Sequence, residues 1–395
     1  MKSTGIVVEY NPFHNGHKYH LKKAKEQGEV VIAVMSGDFV QRGEPSFLNR
    51  WERGETALME GVDIIAELPV FYSCQSAEIF ARGAVGILER LGADKIVFGS
   101  ESSDIEKLKK IISLEKNEEF LEGLQKNLKN GDSYPTAYNK ETIKFLGEEY
   151  TVKSNDILGI EYIRALDFWK STIEPAALKR EGAEYHSHKS EGDIASASGI
   201  RKMFENNISF EEIKKFVPEK SGEILFKAVE EGRTADISKF YNLIRYAVLA
   251  GRETMKDIQD METGFDNRLY EAALVCENYN DFLNRIITKR FTIGRVQRVL
   301  IHVLLGITKE ITEDVKKRVP YVRIMGFSQK GREYLKNLEK ESDIKIITGF
   351  KNIQKILSEE ERKLLELNER AGKIYNIINP YKNMNTPMMY QEEHK

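Results

Sequence analysis

The sequence predicts an α/β fold, in which a Rossmann-like, doubly wound parallel sheet is followed by a mostly helical C-terminal part. Three observations support this prediction. Short apolar runs alternate with amphipathic stretches in the first half of the chain. These runs are rich in Val and Ile, as is typical of parallel strands that are buried on both faces. After about residue 210, long amphipathic stretches with few strand signals follow.

The predicted strands and helices of the first half alternate regularly. The apolar runs cover residues 5–8, 30–35, 63–68 and 95–98, and the helical stretches between them cover residues 17–27, 47–61 and 77–91. Strand, helix and strand in succession indicate βαβ units, whose right-handed crossovers make the strands parallel. Ligands of such sheets bind outside the carboxyl ends of the strands. We therefore expect the functional site where these runs end.

The later elements follow from the same patterns. The predictions are charged helices in residues 103–145, a helix at 154–169, a short strand at 173–178, a loop and helix start at 192–201, a strand–helix–strand segment at 321–347 and a last helix at 359–378. The pattern changes near residues 205–220, which predicts two domains, residues 1–210 and residues 211–395.

The composition excludes several classes of protein. Of the 395 residues, 41% are hydrophobic, which is enough for real cores and excludes wholesale disorder. No apolar run reaches the ~18 residues of a membrane span, and no apolar h-region of a secretory signal precedes the first strand. Cys74 and Cys276 are too few for a disulfide framework or a cysteine-rich zinc site. We expect a cytoplasmic protein without membrane contact.

The charge is distributed unevenly along the chain. The whole chain has 60 Lys and Arg against 62 Asp and Glu, but residues 285–332 contain twelve basic and three acidic residues. We call residues 285–332 the basic segment. Such a segment in an otherwise acidic chain is a candidate surface for a polyanion such as a nucleic acid, and a solvated helix face is the alternative. The candidate RNA-binding residues are Lys289, Arg290, Arg295 and Arg298.

Aromatic rings are interleaved with these basic residues. Phe291, His302 and Tyr321 are candidates for stacking on unpaired bases. Core packing is the alternative for all three, because aromatic residues at helical spacing are typical of a buried helix face.

The most informative stretch lies between the first strand and the first helix. Residues 9–17 are Glu-Tyr-Asn-Pro-Phe-His-Asn-Gly-His. A βα turn at this position directs backbone N–H groups and the positive end of a helix at a bound anion. His14 and His17 are three residues apart, so one helical turn brings both to the same face. Gly16 lets a nucleotide approach the backbone closely.

Two imidazoles in this position can stabilise a phosphoryl group. They donate hydrogen bonds to an oxygen whose negative charge grows in the transition state. His14 and His17 are therefore the candidate catalytic residues. The alternatives are ordinary histidines at a helix start, or half of a zinc site, which no cysteine pair completes. We expect no protein-bound metal.

This stretch also resembles a known superfamily. His14-Asn15-Gly16-His17 is similar to the HxGH signature of the nucleotidylyltransferases, which are relatives of the class I aminoacyl-tRNA synthetases. The resemblance implies ATP as a co-substrate and attack of an acceptor on its α-phosphate, with release of pyrophosphate. Small-molecule adenylyltransferases of this superfamily carry Thr or Ser at the position of Glu9 and Asp at the position of Asn11, so the sequence departs from their pattern.

A narrower resemblance covers nearly the whole chain. The string from Gly5 to His17, together with residues 36–45, 98–101, 154–159, 288–292 and 325–327, is similar to the bacterial tRNA(Met) cytidine acetate ligase family. This resemblance implies that acetate and ATP form acetyl-adenylate. It also implies that the acetyl group passes to N4 of the wobble cytidine in the anticodon region of elongator tRNA(Met). Mg²⁺ is expected to accompany ATP.

The resemblance implies ATP contacts at particular positions. Residues 195–201 resemble the second superfamily motif, ISSTxIR, whose hydroxyl and N–H groups suit the β- and γ-phosphates. The expected ATP-binding residues are Val7, Val8, Glu9, Tyr10, Asn11, Pro12, Phe13, His14, Asn15, Gly16, His17, Lys18, Gly99, Asn155, Arg180, Ser198 and Arg201. Structural alternatives are a turn glycine at Gly99, a helix cap at Asn155, and surface side chains at Lys18 and Arg180.

Together, these observations predict an enzyme of two parts. Residues 1–210 would be an ATP-binding, nucleotidylyltransferase-like catalytic domain, and residues 211–395 a mainly α-helical tRNA-binding domain. One alternative is a small-molecule adenylyltransferase with a regulatory C-terminal domain, which would turn over without tRNA. Another is a non-catalytic RNA-binding protein with a vestigial nucleotide pocket.

Overall fold

The predicted strands and helices are present in the computed structural model, which describes residues 1–179, 195–288, 290–341, 345–382 and 386–390. The strands are β1 Ser3–Val8, β2 Val30–Ser36, β3 Phe39–Val40, β4 Glu44–Pro45, β5 Ile64–Leu68, β6 Lys95–Ser100, β7 Glu174–Lys179, β8 Val322–Ser328, β9 Ile346–Ile347 and β10 Met388–Tyr390.

Helices connect the strands and form most of the later part of the chain. In the first part they are α1 Asn15–Lys25, α2 Arg50–Met59, α3 Val70–Ser73, α4 Ala77–Arg90, α5 Ile105–Ser113, α6 Glu118–Lys129, α7 Tyr134–Leu146, α8 Ser154–Trp169 and α9 Ala197–Glu205. After residue 205 they are α10 Phe210–Lys214, α11 Glu219–Glu230, α12 Tyr241–Ala250, α13 Phe265–Val275, α14 Tyr279–Ile286, α15 Ile293–Leu305, α16 Lys309–Val315, α17 Gln329–Glu341, α18 Ile353–Ile356 and α19 Glu359–Ile378.

The main sheet has the strand order β10-β8-β5-β2-β1-β6-β7, with β9 beside β8. Strands β1, β2, β5, β6 and β7 are parallel, and Val7 of β1 lies opposite Val34 of β2. Every residue of β2 is buried, and alternate residues pack into hydrophobic clusters that lie on opposite faces of the sheet. The predicted α/β fold, with a parallel sheet covered on both faces, is confirmed.

The C-terminal part extends this sheet, which the sequence did not indicate. The segment 321–347 was correctly predicted as strand, helix and strand, but its first strand, β8, pairs antiparallel with β5. β10 then pairs parallel with β8. The sheet is therefore mixed at this edge, and strands from both sides of residue 210 form it. Apolar alternation predicts that a strand exists, but it does not predict the strand's partner. The division into residues 1–210 and 211–395 stays a prediction.

The helices after residue 210 pack directly on the loop that follows β2. Phe39 contacts Phe240 and Tyr375 with ring centroids 5.9 Å and 6.1 Å apart. Phe240, on the turn before α12, and Tyr375 of α19 are fully buried. The C-terminal helices therefore pack against the chain that leaves the carboxyl end of β2. In the described part of the chain, no helix is both long enough and apolar enough for a membrane span.

Candidate active site

The turn between β1 and α1 holds the two candidate catalytic histidines. His14 is the residue before α1, and its Nδ1 accepts a hydrogen bond from the backbone N–H of Gly16 at 3.0 Å. An accepting Nδ1 leaves the ring proton on Nε2. His14 is therefore oriented as a donor at the positive end of the helix.

The two imidazole rings lie together, as their spacing predicts. The rings of His14 and His17 are stacked with centroids 3.7 Å apart. The ring of Tyr10 lies 5.0 Å from that of His17, and the ring of Phe13 lies 5.7 Å from it. Tyr10, Phe13 and His14 are buried. The aromatic neighbours therefore restrict how far either imidazole can move.

The second motif lies against this turn. Ser196 caps α9, where its Oγ accepts from the backbone N–H of Gly199 at 3.1 Å and lies 3.2 Å from the Oγ of Ser198. One turn later, the Arg201 guanidinium donates to the carbonyl of Asn11 at 2.7 Å. The fold thus brings residues separated by about 190 positions to one place, and a side chain of α9 bonds the turn that precedes α1.

A buried arginine that sequence analysis missed holds the loops of this site. The Arg53 guanidinium donates to the carbonyls of Glu9 at 2.5 Å and Leu48 at 3.1 Å, and also to the carbonyl of Gly37. Arg53 thereby joins the ends of β1 and β2. Burial lowers the pKa of Arg53. No signal in the sequence distinguishes this residue from a solvent-facing arginine on an amphipathic helix.

Gly99 and Asn155 lie at the neighbouring strand end. Gly99 is in β6, opposite Leu178 of β7. The Asn155 amide donates to the Glu101 carboxylate at 2.6 Å, and the backbone N–H groups of Asn155 and Asp156 bond the same carboxylate. Asn155 is therefore not the N-cap residue of α8, because α8 begins at Ser154. Glu101 binds this helix start as a carboxylate, which is favourable at the positive end of a helix.

Several other residues were predicted to contact ATP, and the structure shows where some of them lie. Val7 and Val8 end β1 opposite Val34 and Met35. The ammonium of Lys18 lies 3.2 Å from the Glu60 carboxylate, at the end of α2. The amide side chain of Asn15 bonds the carbonyl of Lys215 at 2.8 Å. Arg180 and Lys289 lie outside the described residues.

The loop after β2 connects this site with the basic segment. Gly43, which has a positive φ of +80°, packs so closely on α15 that a Cβ there would lie 2.2 Å from the backbone N of Arg298. Glu44 contacts Gln297 of α15 at 3.5 Å and Arg201 of α9 at 3.4 Å. The helix that carries Arg295 and Arg298 is thus in direct contact with the loop beside the nucleotide motif.

The basic segment is partly neutralised by acidic neighbours. Glu262 bonds both Arg290 and Arg295, the latter at 2.5 Å, and Asp260 lies 4.0 Å from Arg298. Arg290 is nevertheless 74% exposed. This surface therefore presents guanidinium groups to solvent beside two carboxylates.

Two of the three aromatic residues that were candidates for base stacking are instead buried in the core. Tyr321 is buried, and the fully buried His302 has its ring nitrogens within 2.7 Å of the Cys74 carbonyl and 3.2 Å of the Gln259 carbonyl. Phe291 is partly buried and stacks on Phe265 with ring centroids 4.1 Å apart. The interpretation that His302 or Tyr321 stacks on RNA bases is therefore wrong.

The arrangement suits an anionic ligand. The positive end of α1, an imidazole donor and the Arg201 guanidinium lie at the turn that follows β1, and the carboxyl end of a strand is the usual ligand position in an open parallel sheet. Within the described ranges, no group of three His, Cys, Asp or Glu side chains converges in a way that suits a metal ion.

Comparison with known proteins identifies the family. The HIGH Nucleotidyl Transferase family model matches residues 1–389. A tRNA(Met) cytidine acetate ligase of Fusobacterium nucleatum is 44% identical over 402 residues, with 98% of each chain covered. That of Fervidobacterium nodosum is 42% identical over 375 residues, covering 93% of this chain and 88% of the relative.

Solved structures agree with this result. The apo crystal structure of Thermotoga maritima TmcAL matches with a TM-score of 0.90 at 34% identity, and the structure bound with alpha-thio ATP matches with a TM-score of 0.88 at 33% identity. Each match covers 98% of this chain and 99% of the other. The chain belongs to the HIGH nucleotidyl transferase family, together with the tRNA(Met) cytidine acetate ligases.

Proposed function

We propose that this protein is an ATP-dependent tRNA(Met) cytidine acetate ligase. It activates acetate with ATP to acetyl-adenylate, releases pyrophosphate, and acetylates N4 of the wobble cytidine of elongator tRNA(Met). The observation that carries the chemistry is the contact of Arg201 with Asn11, which joins the ISSTxIR-like helix to the HxGH turn. The choice of acetate and tRNA(Met) is supported by relatives of that name that match over almost the whole chain.

The first step is transfer at the α-phosphate. An acetate oxygen attacks the α-phosphorus of ATP, and pyrophosphate leaves. The Nε2–H of His14 and the His17 imidazole, at the positive end of α1, would stabilise the growing charge on the α-phosphoryl oxygens. The chemistry needs no covalent nucleophile of the protein, because positioning and charge stabilisation dominate phosphoryl-centre reactions.

The remaining phosphates lie toward α9 in this proposal. Ser198, the N–H groups of α9 and Arg201 would hold the β- and γ-phosphates, and Arg180 would assist. Gly99 and Asn155 would contact the nucleotide from the neighbouring strand end. Mg²⁺ would enter with ATP and reduce the phosphate charge, held by the phosphates themselves rather than by a carboxylate cage.

The second step takes place next to the tRNA surface. Lys289, Arg290, Arg295 and Arg298 would bind anticodon phosphates, and the wobble base would be splayed toward the adenylate. The packing of Gly43 on α15 supports this arrangement, because it brings the basic helix to the loop beside the site. In this proposal, residues 1–210 make the adenylate, residues 211–395 bind tRNA, and the enzyme works in the cytoplasm.

Acetylation of defined transcripts tests this function. The purified protein is incubated with ATP, Mg²⁺ and labelled acetate, with elongator or initiator tRNA(Met), and the digested RNA is examined for N4-acetylcytidine. We expect label in the elongator tRNA only, and none when its wobble cytidine is replaced by uridine. Stable adenylylated product without any tRNA would instead indicate a small-molecule adenylyltransferase.

A further inference from the structure

The carboxylate of Glu9 lies beside this site, where it bonds the loop that follows β2. Glu9 directly follows β1, is only partly buried and precedes the HxGH turn by a few residues. Its Oε1 accepts from the backbone N–H of Gln41 at 2.9 Å, and its backbone carbonyl accepts from Arg53. The side chain is thus fixed between the end of β1 and the loop that contacts α15.

The surroundings of Glu9 leave it able to take up a proton. Burial raises the pKa of Glu9 above its usual value, although the Gln41 N–H and the guanidiniums of Arg42, Arg53 and Arg201 each act in the opposite direction. Tyr162 and Cys74 also interact with Glu9, and burial raises the pKa of both, so they stay neutral. Glu9 is therefore a carboxylate in a partly desolvated setting.

The second step of the reaction requires a proton acceptor, whereas the first does not. Acetate is already a carboxylate at neutral pH, so adenylate formation removes no proton from it. The exocyclic N4 of cytidine must lose a proton as the amide forms. His14 does not offer its Nδ1 for this purpose, because that atom accepts from Gly16 and the ring proton is on Nε2.

We propose that Glu9 is the general base of acetyl transfer, an inference that rests on the proposed function. The N4 lone pair forms the C–N bond to the acetyl carbonyl carbon. The bond between that carbon and the adenylate oxygen breaks, and its electron pair leaves on the phosphate of AMP. Glu9 takes the proton from N4 and returns it to solvent.

The test separates the two steps in the full-length protein. Acetate-dependent ATP–pyrophosphate exchange reports adenylate formation, and a single-turnover reaction, started by adding elongator tRNA(Met) to enzyme already incubated with ATP and acetate, reports transfer. Glu9→Gln keeps an oxygen that can accept from the Gln41 N–H but removes the base. We expect the transfer rate of Glu9→Gln to fall about 10²–10⁴-fold, and the exchange rate to fall less than about tenfold. Glu9→Asp should recover part of the transfer rate.

The pH profile provides a readout that a merely structural role would not change. We expect the wild-type transfer rate to rise with pH as Glu9 ionises, above the usual range of a carboxylate, and Glu9→Gln to lack this limb. Glu44→Gln is the matched control, because it removes a carboxylate from the loop after β2 to which Glu9 bonds, and the oxygens of Glu44 contact Gln297 and Arg201. This control should keep the limb.

Three results would overturn the inference. An equal loss of exchange and transfer in Glu9→Gln would mean that Glu9 only holds the loop or the nucleotide. Unchanged transfer with an unchanged pH profile would mean that the proton leaves by another route. Absence of acetate-dependent exchange in the wild-type enzyme would overturn the proposed function itself, and that failure is distinguishable because it precedes any variant.

Discussion

At the scale of the residue, the two histidines show what their spacing in the sequence can predict and what it cannot. The three-residue separation correctly predicted that His14 and His17 share one face, because both lie at the start of a helix. What spacing could not predict is the bond from Gly16 to the His14 Nδ1, which determines the nitrogen that carries the proton. Nor could it predict the buried Arg53, because a guanidinium bound to three carbonyls has no pattern in the sequence.

Loss of the second imidazole should remove the chemistry and leave the fold. We expect His17→Ala to lower acetate-dependent pyrophosphate exchange at least about 10²-fold, because one donor to the developing charge is lost. Circular dichroism and tRNA affinity should stay close to the wild type. His20→Ala is the control, because His20 lies on the next turn of α1 and contacts the Val97 carbonyl. Equal exchange rates of His17→Ala and the wild type would contradict the catalytic role.

At the scale of the element, the loop after β2 and helix α15 form the junction between the nucleotide site and the basic segment. The amphipathic stretches after residue 210 predicted helices in this part of the chain, but they gave no sign that one of them touches this loop. Their contact depends on Gly43, which has no side chain where the α15 backbone passes. A close backbone approach of this kind is one of the few positions that only glycine satisfies.

A methyl group at this junction should therefore be costly. We expect Gly43→Ala to lower the free energy of unfolding by about 2–3 kcal/mol, from a backbone clash added to a positive φ. Gly232→Ala is the matched control, because Gly232 also has a positive φ, +68°, but a Cβ there would meet nothing within 4 Å. Gly232→Ala should lower the free energy of unfolding by only about 1 kcal/mol. Denaturant unfolding of both variants compares them, and equal losses would show that the clash is relieved without cost.

The basic segment leads to a prediction about RNA. If its guanidiniums contact phosphates, tRNA affinity should fall steeply as the salt concentration rises. Each phosphate contact should make the slope of the logarithm of the binding constant against the logarithm of the salt concentration steeper by about 0.7–0.9. The double variant Lys289→Glu/Arg290→Glu should weaken binding and flatten this slope. Lys126→Glu/Lys129→Glu reverses two exposed charges of α6 and is the control. Filter binding over a range of salt measures both, and a flat wild-type response would count against this surface.

At the scale of the whole molecule, a buried ion network joins the parallel part of the sheet to the C-terminal part. Arg50 lies 2.7 Å from Glu67 of β5, and Arg323 of β8 lies 3.0 Å from the same carboxylate. Glu369 of α19 contacts both arginines. In the sequence, these residues look like ordinary surface charges. The parallel strands were predictable because each is a short Val- and Ile-rich run, whereas the pairing of β5 with β8 depends on tertiary contacts.

This network should make the free energy of unfolding depend on pH. Burial alone would raise the pKa of Glu67, but Arg50 and Arg323 hold it below its usual value. The stabilisation is therefore fully present above the unfolded-state pKa of Glu, and it is lost as pH falls through the lower folded-state value. We expect Glu67→Gln to be less stable by about 3 kcal/mol at pH 7, because two arginines remain buried without their partner.

Thermal unfolding between pH 7 and pH 3 measures both effects. The difference in melting temperature between the wild type and Glu67→Gln should disappear as the pH falls below the usual pKa range of a glutamate. A constant difference between the two proteins across this range would contradict the assignment of a lowered pKa to Glu67.

The most direct test of the whole account is ATP–pyrophosphate exchange by the purified wild-type protein. It is measured with and without acetate, and with and without elongator tRNA(Met). We predict exchange that requires acetate, because the proposed function places adenylate formation at the HxGH turn and α9. Exchange that proceeds equally well without acetate, or no exchange under any of these conditions, would contradict the claim that this site activates acetate.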